Sequence, residues 1–455
     1  MTLMKNFLLP TLPILMMLLS ACGSSSDDEE EVFADAYLQF YNGSANSATT
    51  IMAEVDGNTL GSAPYGDASG LITADSGEVE LEFFRIDADD QKVTLEEVTV
   101  DLSDGEKVLM ILSGDYETPS FIEHRYKREE LEDHFRLFAT SVISESGSYD
   151  LYMSAAGEPF TAANLLGTVV YEQFDELTYW DPDSESDNFN QGEYTLYLTL
   201  PGSNEPFYES ETISFAYDTE YVLALRTTSG AIQNNVVVDF IINSSAVANY
   251  ADEDATAQYR IYNSLNDSES VSLNLAGNDD TNYNTTLNAN TLSEFNEVEF
   301  GDYRLTALLG DEGFNNRLVT LNQGESKAII IYRDDEDNLS SISFQESNLP
   351  QVFDHQLQVV NLVPDYFDID FFFVRKDQTI ESADYRLAGL DYKESRSITL
   401  PSDFYELIAV YDDNNDTQVL LDRTELLGIN QEVNYIITVE QTVDSATGFK
   451  ISILY

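Results

Sequence analysis

The feature that most constrains this chain is a set of three short segments that recurs four times in the same order. The first segments end at Asn42, Thr140, Asn263 and Asn361. The second segments are centred near Val79, Tyr194, Tyr303 and Tyr405. The third carry a glutamate at the same point, Glu106, Glu220, Glu325 and Glu432. Such repetition predicts a tandem array of four similar units of about 100 residues each.

The repeated segments have the pattern of β-strands. Tyr194, Leu196 and Leu198 alternate with other side chains, and this period of two is typical of a strand with one buried face. Clusters of Gly, Asn, Asp and Ser separate the segments, as turns between strands do. We therefore predict an all-β protein of tandem immunoglobulin-like antiparallel β-sandwiches. The prediction concerns architecture only, because the chain lacks the cysteine pair of true immunoglobulin domains.

The spacing of the repeats predicts the domain boundaries. Six segments follow: a signal peptide at 1–21, an acidic tether at 22–33, and sandwiches at 34–123, 124–252, 253–348 and 349–455. The second sandwich is the longest, and its extra length holds an acidic loop. With one cysteine in the chain no intrachain disulfide can form, so each sandwich must be stable through packing alone.

The N-terminal segment predicts export and lipid attachment. Lys5 precedes an apolar run at 7–19 that is too short to cross a bilayer as a helix. The run ends in Leu-Ser-Ala before Cys22, which resembles the lipobox of bacterial lipoproteins. That resemblance implies diacylglycerol on the Cys22 thiol and removal of 1–21. An ordinary signal peptide with an incidental cysteine is the alternative.

The residues after Cys22 predict a flexible acidic tether at 22–33, since they offer little apolar area to bury. By resemblance to lipoproteins of Gram-negative bacteria, Gly23 implies sorting to the outer membrane, on either its periplasmic or its surface face. Two acyl chains would hold the protein stably at the membrane.

The charge of the chain excludes some partners. The formal net charge is −62, from 21 basic and 83 acidic residues. Such a chain repels phosphate backbones, so we expect no nucleic-acid partner. Anionic lipid head groups repel it as well, which leaves acylated Cys22 as the expected membrane contact.

The fourth unit resembles a known bacterial family. It contains a Val-Val-Asn strand ending at Asn361, a Pro-Asp turn at Pro364 and Asp365, and then Asp368 and Asp370 alternating with apolar residues. This looks like the opening motif of the domain of unknown function 4397. The segments 191–196 and 300–305 resemble that family's later Gly-x-Tyr strand. The resemblance implies tandem extracytoplasmic immunoglobulin-like modules and brings no catalytic residues.

Candidate metal sites are weak in this sequence. His124, His134 and His355 have no clustered partner ligands, which favours structural roles over a zinc site. Acid-rich hairpin tips could bind calcium through carboxylate and amide oxygens, although Asp and Asn are also ordinary turn residues. The calcium candidates are Asp181, Asp183, Asp187, Asp412, Asp413 and Asp416. We otherwise expect no cofactor.

The sequence does not predict an enzyme. It has no Gly-x-Ser-x-Gly elbow and no phosphate-binding loop. The expected function is an envelope-anchored binding module whose partner is a protein or a glycan. One alternative is a structural spacer, because four sandwiches end to end would extend beyond about 100 Å. A carbohydrate-active hydrolase is the outside alternative, since 83 acids would supply many carboxylate pairs by chance.

Overall fold

The computed structural model divides the chain into two units, Met1–Phe33 and Ala34–Tyr455. The described residues all lie in the second unit. They are 35–44, 50–87, 89–114, 119–144, 147–180, 187–228, 235–244, 246–265, 270–278, 281–346, 354–412, 417–430 and 434–455. The predicted signal peptide 1–21 and tether 22–33, with Cys22, lie outside them.

The described residues form strands and two short 3₁₀ helices, and they contain no α-helix. None of their helices is long and apolar enough to span a membrane. The strands pair into eight sheets that make four sandwiches. The predicted fold class, all-β tandem sandwiches, is therefore confirmed.

The first two sandwiches hold strands β1 to β20. Sandwich 1 has β1 Ala36–Asn42, β2 Ile51–Val55, β3 Asn58–Ala63, β4 Asp67–Ala68, β5 Ile72–Ala74, β6 Gly77–Ile86, β7 Lys92–Leu102, β8 Glu106–Ser113 and β9 Ser120–Lys127. Sandwich 2 has β10 His134–Ser141, β11 Ser148–Ala155, β12 Asn164–Val170, β13 Phe174–Leu177, β14 Phe189–Asn190, β15 Gly192–Thr199, β16 Pro206–Glu209, β17 Ile213–Phe215, β18 Glu220–Thr227, β19 Val236–Ile241 and β20 Val247–Ala251. A 3₁₀ helix, Phe160–Ala162, follows β11.

The last two sandwiches repeat this plan. Sandwich 3 has β21 Ala257–Asn263, β22 Val271–Ala276, β23 Asn282–Leu287, β24 Thr291–Leu292, β25 Asn296–Val298, β26 Gly301–Leu309, β27 Glu312–Leu321, β28 Ser326–Arg333 and β29 Leu339–Glu346. Sandwich 4 has β30 Asp354–Asn361, β31 Ile369–Arg375, β32 Tyr385–Leu390, β33 Ser395–Pro401, β34 Asp403–Asp412, β35 Gln418–Arg423, β36 Leu427–Ile429, β37 Tyr435–Gln441 and β38 Phe449–Leu454. The second 3₁₀ helix, Ile380–Ser382, follows β31.

The sandwiches share a core strand order, to which sandwich 2 adds β17 and β20 and sandwich 4 adds β36. In sandwich 1 one sheet runs β4-β1-β8-β9, with β5 beside β1, and the other runs β3-β2-β6-β7. The sheets with β1, β10, β21 and β30 are called inner sheets below, and their partners outer sheets. This order differs from that of immunoglobulin domains, where the first strand pairs with the second. One pair in every inner sheet is parallel, β1 with β8 and its equivalents, which the predicted antiparallel pattern did not include.

Two strands lie at the predicted domain boundaries. β9, Ser120–Lys127, pairs with β8 along its whole length and crosses the boundary proposed at residue 123. β20, Val247–Ala251, extends the inner sheet of sandwich 2 up to the boundary proposed at residue 252.

The outer sheet of sandwich 3 and the inner sheets differ in burial. The outer strand β26 alternates, with Tyr303, Leu305 and Ala307 buried in the core and more exposed residues between them. The inner strands β8 and β18 are buried at seven of eight residues each, so both of their faces are covered. Strands buried on both faces appear in sequence as nearly continuous apolar runs.

The second face of each inner sheet packs against another sandwich. Tyr41, Leu109 and Tyr126 of sandwich 1 form one apolar cluster with Phe138 and Val222 of sandwich 2. A second cluster joins sandwiches 3 and 4 through Tyr262, Ile330 and Tyr332 on one side and Val360, Leu362 and Ile436 on the other. A large apolar side chain buried in this way contributes about 1.5–3 kcal/mol. The sandwiches therefore associate in two face-to-face pairs.

Polar contacts join the two pairs. Arg85 of sandwich 1 forms a buried ion pair with Asp354 of sandwich 4, with 2.5 Å between Nη1 and Oδ2. Gln323 of sandwich 3 donates to the backbone oxygens of Asp252 and Glu253 at 2.6 and 2.8 Å. The predicted length of more than about 100 Å assumes four sandwiches end to end, whereas sandwich 1 contacts both sandwich 2 and sandwich 4.

Candidate functional site

The predicted calcium ligands are only partly within the described residues. Asp187 and Asp412 are described, and both are exposed in different sandwiches. Four candidates lie outside the described residues: Asp181, Asp183, Asp413 and Asp416. No group of three or more His, Cys, Asp or Glu side chains in the described ranges is arranged to hold a metal ion. Calcium binding stays a prediction.

The three histidines lie apart, each with a local structural contact. His124 stacks on Phe174 across the interface of sandwiches 1 and 2, with 4.5 Å between ring centroids. Burial lowers the pKa of His124 to about 4. A ring nitrogen of His134 contacts the backbone oxygen of Glu132, and His355 contacts the Ser402 hydroxyl at 2.7 Å. These surroundings agree with the structural interpretation of the histidines.

A buried polar network centred on Asp239 lies between sandwiches 1 and 2. Its carboxylate accepts from Arg226 Nε at 2.6 Å, from the Tyr41 hydroxyl at 2.7 Å and from Asn249 Nδ2 at 2.8 Å. Asp239 is fully buried and Arg226 is 5% exposed. Because its donors and its acceptor are buried and bonded to one another across the interface, the network is a structural element that holds the two sandwiches together.

The strongest candidate for a binding site is a cleft of about 250 Å³ between sandwiches 3 and 4. Strands β28 and β29 supply one wall, and β30, β33 and β37 supply the other. Its lining includes Gly324, Ser326, Gln345, Glu346, Gln356, Leu357, Gln358, Ser397, Asn434, Tyr435 and Ile436. Ligand sites occur preferentially at domain interfaces of this kind.

The position of the cleft follows from alternation along β30. Leu357 and Val359 point into the core of sandwich 4, so Gln356, Gln358 and Val360 occupy the opposite face, toward sandwich 3. Val360 belongs to the apolar cluster that closes the interface, whereas the two glutamines line the cleft. The sheets therefore meet through apolar residues at one end of the strand and separate around amides at the other.

The cleft is close to neutral in a very acidic chain. The carboxylate of Glu346 accepts two hydrogen bonds from Arg260 Nε, at 2.9 and 3.0 Å, and one from Nη2 at 2.7 Å. Burial raises the pKa of Glu346, while Arg260 acts in the opposite direction. The other polar groups among the described lining are amides and hydroxyls. Such groups donate and accept hydrogen bonds without selecting a charge.

Two further concavities occupy equivalent places on the outer sheets of sandwiches 2 and 4, beside the 3₁₀ helices. The concavity of sandwich 2, about 340 Å³, is lined by Tyr197 and by acids that include Glu209 and Glu253. That of sandwich 4, about 440 Å³, is more apolar, with Ile408 and Leu420. The cleft between sandwiches 3 and 4 is the better candidate, because it lies at an interface and its one described carboxylate, Glu346, is paired with Arg260.

The cleft is not among the sites predicted from the sequence. The available signal was the alternation of glutamine with apolar residues in the first segment of the fourth unit, Gln356 and Gln358 around Leu357. That alternation predicts a strand with one solvated face and does not indicate that another sandwich covers the face.

Comparisons with known proteins give no closer identification. No family model matches the chain. No curated protein matches it. Among solved structures, the Bacillus anthracis TIE protein matches over 90% of this chain and 68% of its own, with 9% identity and a TM-score of 0.17. A candidate cell adhesion protein of Bacteroides fragilis matches over 42% of this chain and 84% of its own, with 11% identity and a TM-score of 0.14. At these values neither likeness indicates a function.

Proposed function

We propose that the protein is a lipid-anchored binding module of the bacterial envelope, and that the cleft between sandwiches 3 and 4 binds a neutral glycan. The single observation that carries the glycan proposal is the lining of the cleft by amide and hydroxyl groups, with its one described carboxylate already paired to Arg260. Sugar hydroxyls are both donors and acceptors, and amide side chains complement both roles.

The size of the cleft limits the ligand. Small-molecule sites usually measure about 300–1,000 Å³, and this cleft has about 250 Å³. It therefore suits one or two sugar rings of a longer chain that continues into solvent. A charged peptide would find no free counter-charge among the described lining residues, which makes a protein partner the second choice.

The anchor part of the proposal rests on the sequence. The thiol of Cys22 would carry the acyl chains, and 22–33 would tether the sandwiches to the outer membrane. The hydrolase alternative requires two carboxyl groups about 5–9.5 Å apart. The described part of the cleft supplies Glu346 alone, in a bidentate ion pair, and so favours binding.

The cleft is tested by calorimetry against a panel of neutral oligosaccharides, using the whole secreted portion. Gln356→Leu and Gln345→Leu each remove an amide from one wall and should weaken binding about 10-fold, the value of one lost hydrogen bond of about 1.4 kcal/mol. Gln418→Leu, in the concavity of sandwich 4, is the matched control and should bind normally. Unchanged affinity in both cleft variants would refute the site.

The anchor is tested separately. Palmitate labelling in a bacterial host should mark the native chain and leave Cys22→Ser unlabelled and released from the membrane fraction. If the native chain takes up no label, the attachment proposal fails while the cleft proposal still stands.

A further inference from the structure

Lys107 occupies an unusual place for a lysine. It lies on β8 in the inner sheet of sandwich 1 and is fully buried. Its Nζ is 2.9 Å from Oδ1 of Asn243, which follows β19 in sandwich 2. The two residues are separated by 136 positions in the chain. A primary amine and a carboxamide from different sandwiches are therefore held in contact within the interface.

A buried glutamate completes the group. Asn243 Nδ2 donates to Glu220 Oε2 at 2.9 Å and to the Thr219 hydroxyl at 2.8 Å. Glu220 is 1% exposed, and its other oxygen accepts from the Glu129 backbone N–H at 3.2 Å. These contacts fix the amide with its oxygen toward Lys107 and its nitrogen toward the carboxylate.

We propose that Lys107 and Asn243 join in an intramolecular isopeptide bond, with Glu220 transferring the proton, so that a covalent cross-link connects sandwiches 1 and 2. The lysine is the nucleophile, the amide carbon of Asn243 is the electrophile, and the amide nitrogen is the leaving group. The site uses one of the four glutamates that recur at the same point of the third segment.

The reaction balances without any co-reactant. The Nζ lone pair attacks Cγ of Asn243, forming the Nζ–Cγ bond and placing negative charge on Oδ1. The Glu220 carboxylate accepts a proton from Nζ and donates it to Nδ2, its hydrogen-bond partner. The Cγ–Nδ2 bond then breaks, and one ammonia leaves. The products are a secondary amide and an ionised Glu220, so no oxidant or reductant is required.

The geometry is close to that of attack. A nitrogen that hydrogen-bonds an amide oxygen lies roughly 3.5–4 Å from the amide carbon, and reacting atoms in near-attack conformers are about 3–3.5 Å apart. Attack also requires Nζ to move from its hydrogen bond with Oδ1 to a position over the plane of the carboxamide at Cγ.

The amine is also prepared for attack by its surroundings. Burial lowers the pKa of Lys107 to about 7, and Arg128 lowers it further, while Glu220 acts in the opposite direction. The Tyr126 ring, whose centroid is 5.5 Å from Nζ, supplies an apolar wall. A substantial fraction of the amine is therefore neutral at neutral pH, and only the neutral amine is a nucleophile.

Sandwich 3 offers an internal contrast. Lys327 lies two residues after Glu325, the glutamate that corresponds to Glu220, at 3.5 Å from its carboxylate. Its Nζ donates to the backbone oxygen of Thr320, and Glu325 accepts from Asn322 in its own turn. A lysine and a glutamate are present there, but the Asn322 amide hydrogen-bonds Glu325, and the Lys327 amine hydrogen-bonds a backbone oxygen instead. We therefore expect no isopeptide bond at Lys327.

The test is peptide mapping of the full chain after folding at pH 8. Trypsin does not cut after an acylated lysine, so the bond predicts peptide 93–125 joined to 227–260. The joined species should be lighter by one ammonia, about 17 Da, than the sum of the two peptides. It should survive boiling in detergent and reductant. Cleavage after Lys327 should proceed normally, giving peptide 318–327 as the control.

Two variants separate the bond from its mechanism. Lys107→Met should release peptide 227–260 without a joined partner. Glu220→Gln keeps a hydrogen-bond partner for the Asn243 amide but should form no isopeptide bond, so trypsin should cut after Lys107 and give the separate peptides 93–107 and 108–125. A joined peptide in Glu220→Gln would overturn the role of the glutamate. Separate peptides from the native chain would overturn the whole proposal, whether or not any variant folds.

Discussion

The interface of sandwiches 1 and 2 makes a quantitative prediction for Tyr41→Phe. The Tyr41 hydroxyl donates to Asp239 at 2.7 Å, and both residues are fully buried. A hydrogen bond to a charged group contributes about 1.5–3 kcal/mol. Asp239 keeps Arg226 and Asn249 as donors in the variant, so the loss should lie near the lower end, about 1.5 kcal/mol. That equals roughly a 10-fold shift in the unfolding equilibrium.

Asp239→Asn should cost more than Tyr41→Phe. The substitution removes the charge that faces Arg226, which is 5% exposed. Breaking one partner of a buried ion pair costs about 3–5 kcal/mol, because the other charge remains buried. Combining the two substitutions should cost less than their sum, since the tyrosine has no carboxylate to bond once Asp239 is replaced.

The assay uses the only tryptophan of the chain. Trp180 packs against the core of sandwich 2, so its fluorescence during urea unfolding reports on that sandwich. Tyr41 belongs to sandwich 1, and a shifted Trp180 transition in Tyr41→Phe would show that the interface couples the two. The refuting result is a Trp180 transition within about 0.5 kcal/mol of the native one, the range of ordinary surface substitutions.

The repeat supplies matched controls. Tyr262 occupies the same position of β21 as Tyr41 does of β1, and its hydroxyl donates to Glu440 of sandwich 4 at 3.0 Å. Tyr262→Phe should destabilise the pair of sandwiches 3 and 4, seen by circular dichroism, with a smaller effect on Trp180. Tyr217→Phe, at a ring that is 65% exposed, should change neither signal.

Three further substitutions have defined outcomes. Burial lowers the pKa of His124 from 6.5 to about 4, so the unfolded chain binds a proton that the folded one does not, and the free energy of unfolding should fall as the pH drops from 6.5 to 4. His124→Phe should keep the ring stacked on Phe174 and reduce this loss of stability, measured by Trp180 fluorescence in urea. Burial raises the pKa of Glu440, so stability should fall as the pH rises above 4.5, and Glu440→Gln should remove that slope in circular-dichroism melts. Gly66 has a φ of +78°, and an added Cβ would lie 2.5 Å from Arg226 Nε. Gly66→Ala should therefore lower the free energy of unfolding, measured by Trp180 fluorescence in urea, by about 1–3 kcal/mol.

The outer sheets show what a single sequence predicts well. Tyr303, Leu305 and Ala307 alternate with other residues in the sequence, and all three side chains lie in the core of sandwich 3, while the residues between them are more exposed. The prediction succeeds because an outer sheet contacts solvent on one face and its partner on the other, which makes the period of two visible.

The inner sheets show what the same reasoning missed. Residues 108–112 form a continuous apolar run, and the structure buries both faces of that strand, Leu109 and Ile111 toward sandwich 2 and Val108 and Met110 toward their own core. The run was a usable signal that another layer covers the sheet. It could not indicate which layer, because the covering residues, which include Phe138 and Val222, belong to a different sandwich. The parallel pairing of β1 with β8 was also missed, because it joins distant segments such as those of Tyr37 and Lys107.

The distribution of the basic residues was also beyond sequence reasoning, and it bears on how the sandwiches stay together. The chain has 21 Lys and Arg against 83 Asp and Glu, which predicts strong self-repulsion between acidic domains. Five of these scarce basic residues are buried among the described residues: Arg85, Lys107, Arg136, Arg226 and Arg260.

Two of the five show how the buried cations act. Arg226 meets Asp239 in the network that joins sandwiches 1 and 2, and Arg85 meets Asp354 across 269 positions to join sandwiches 1 and 4. Each of these arginines thus places a buried positive charge against a carboxylate where two acidic sandwiches touch. Because salt screens exposed charges far more than buried pairs, added salt should reduce the repulsion between sandwiches while leaving these contacts intact. The face-to-face pairs should therefore be more stable in salty water than in dilute buffer.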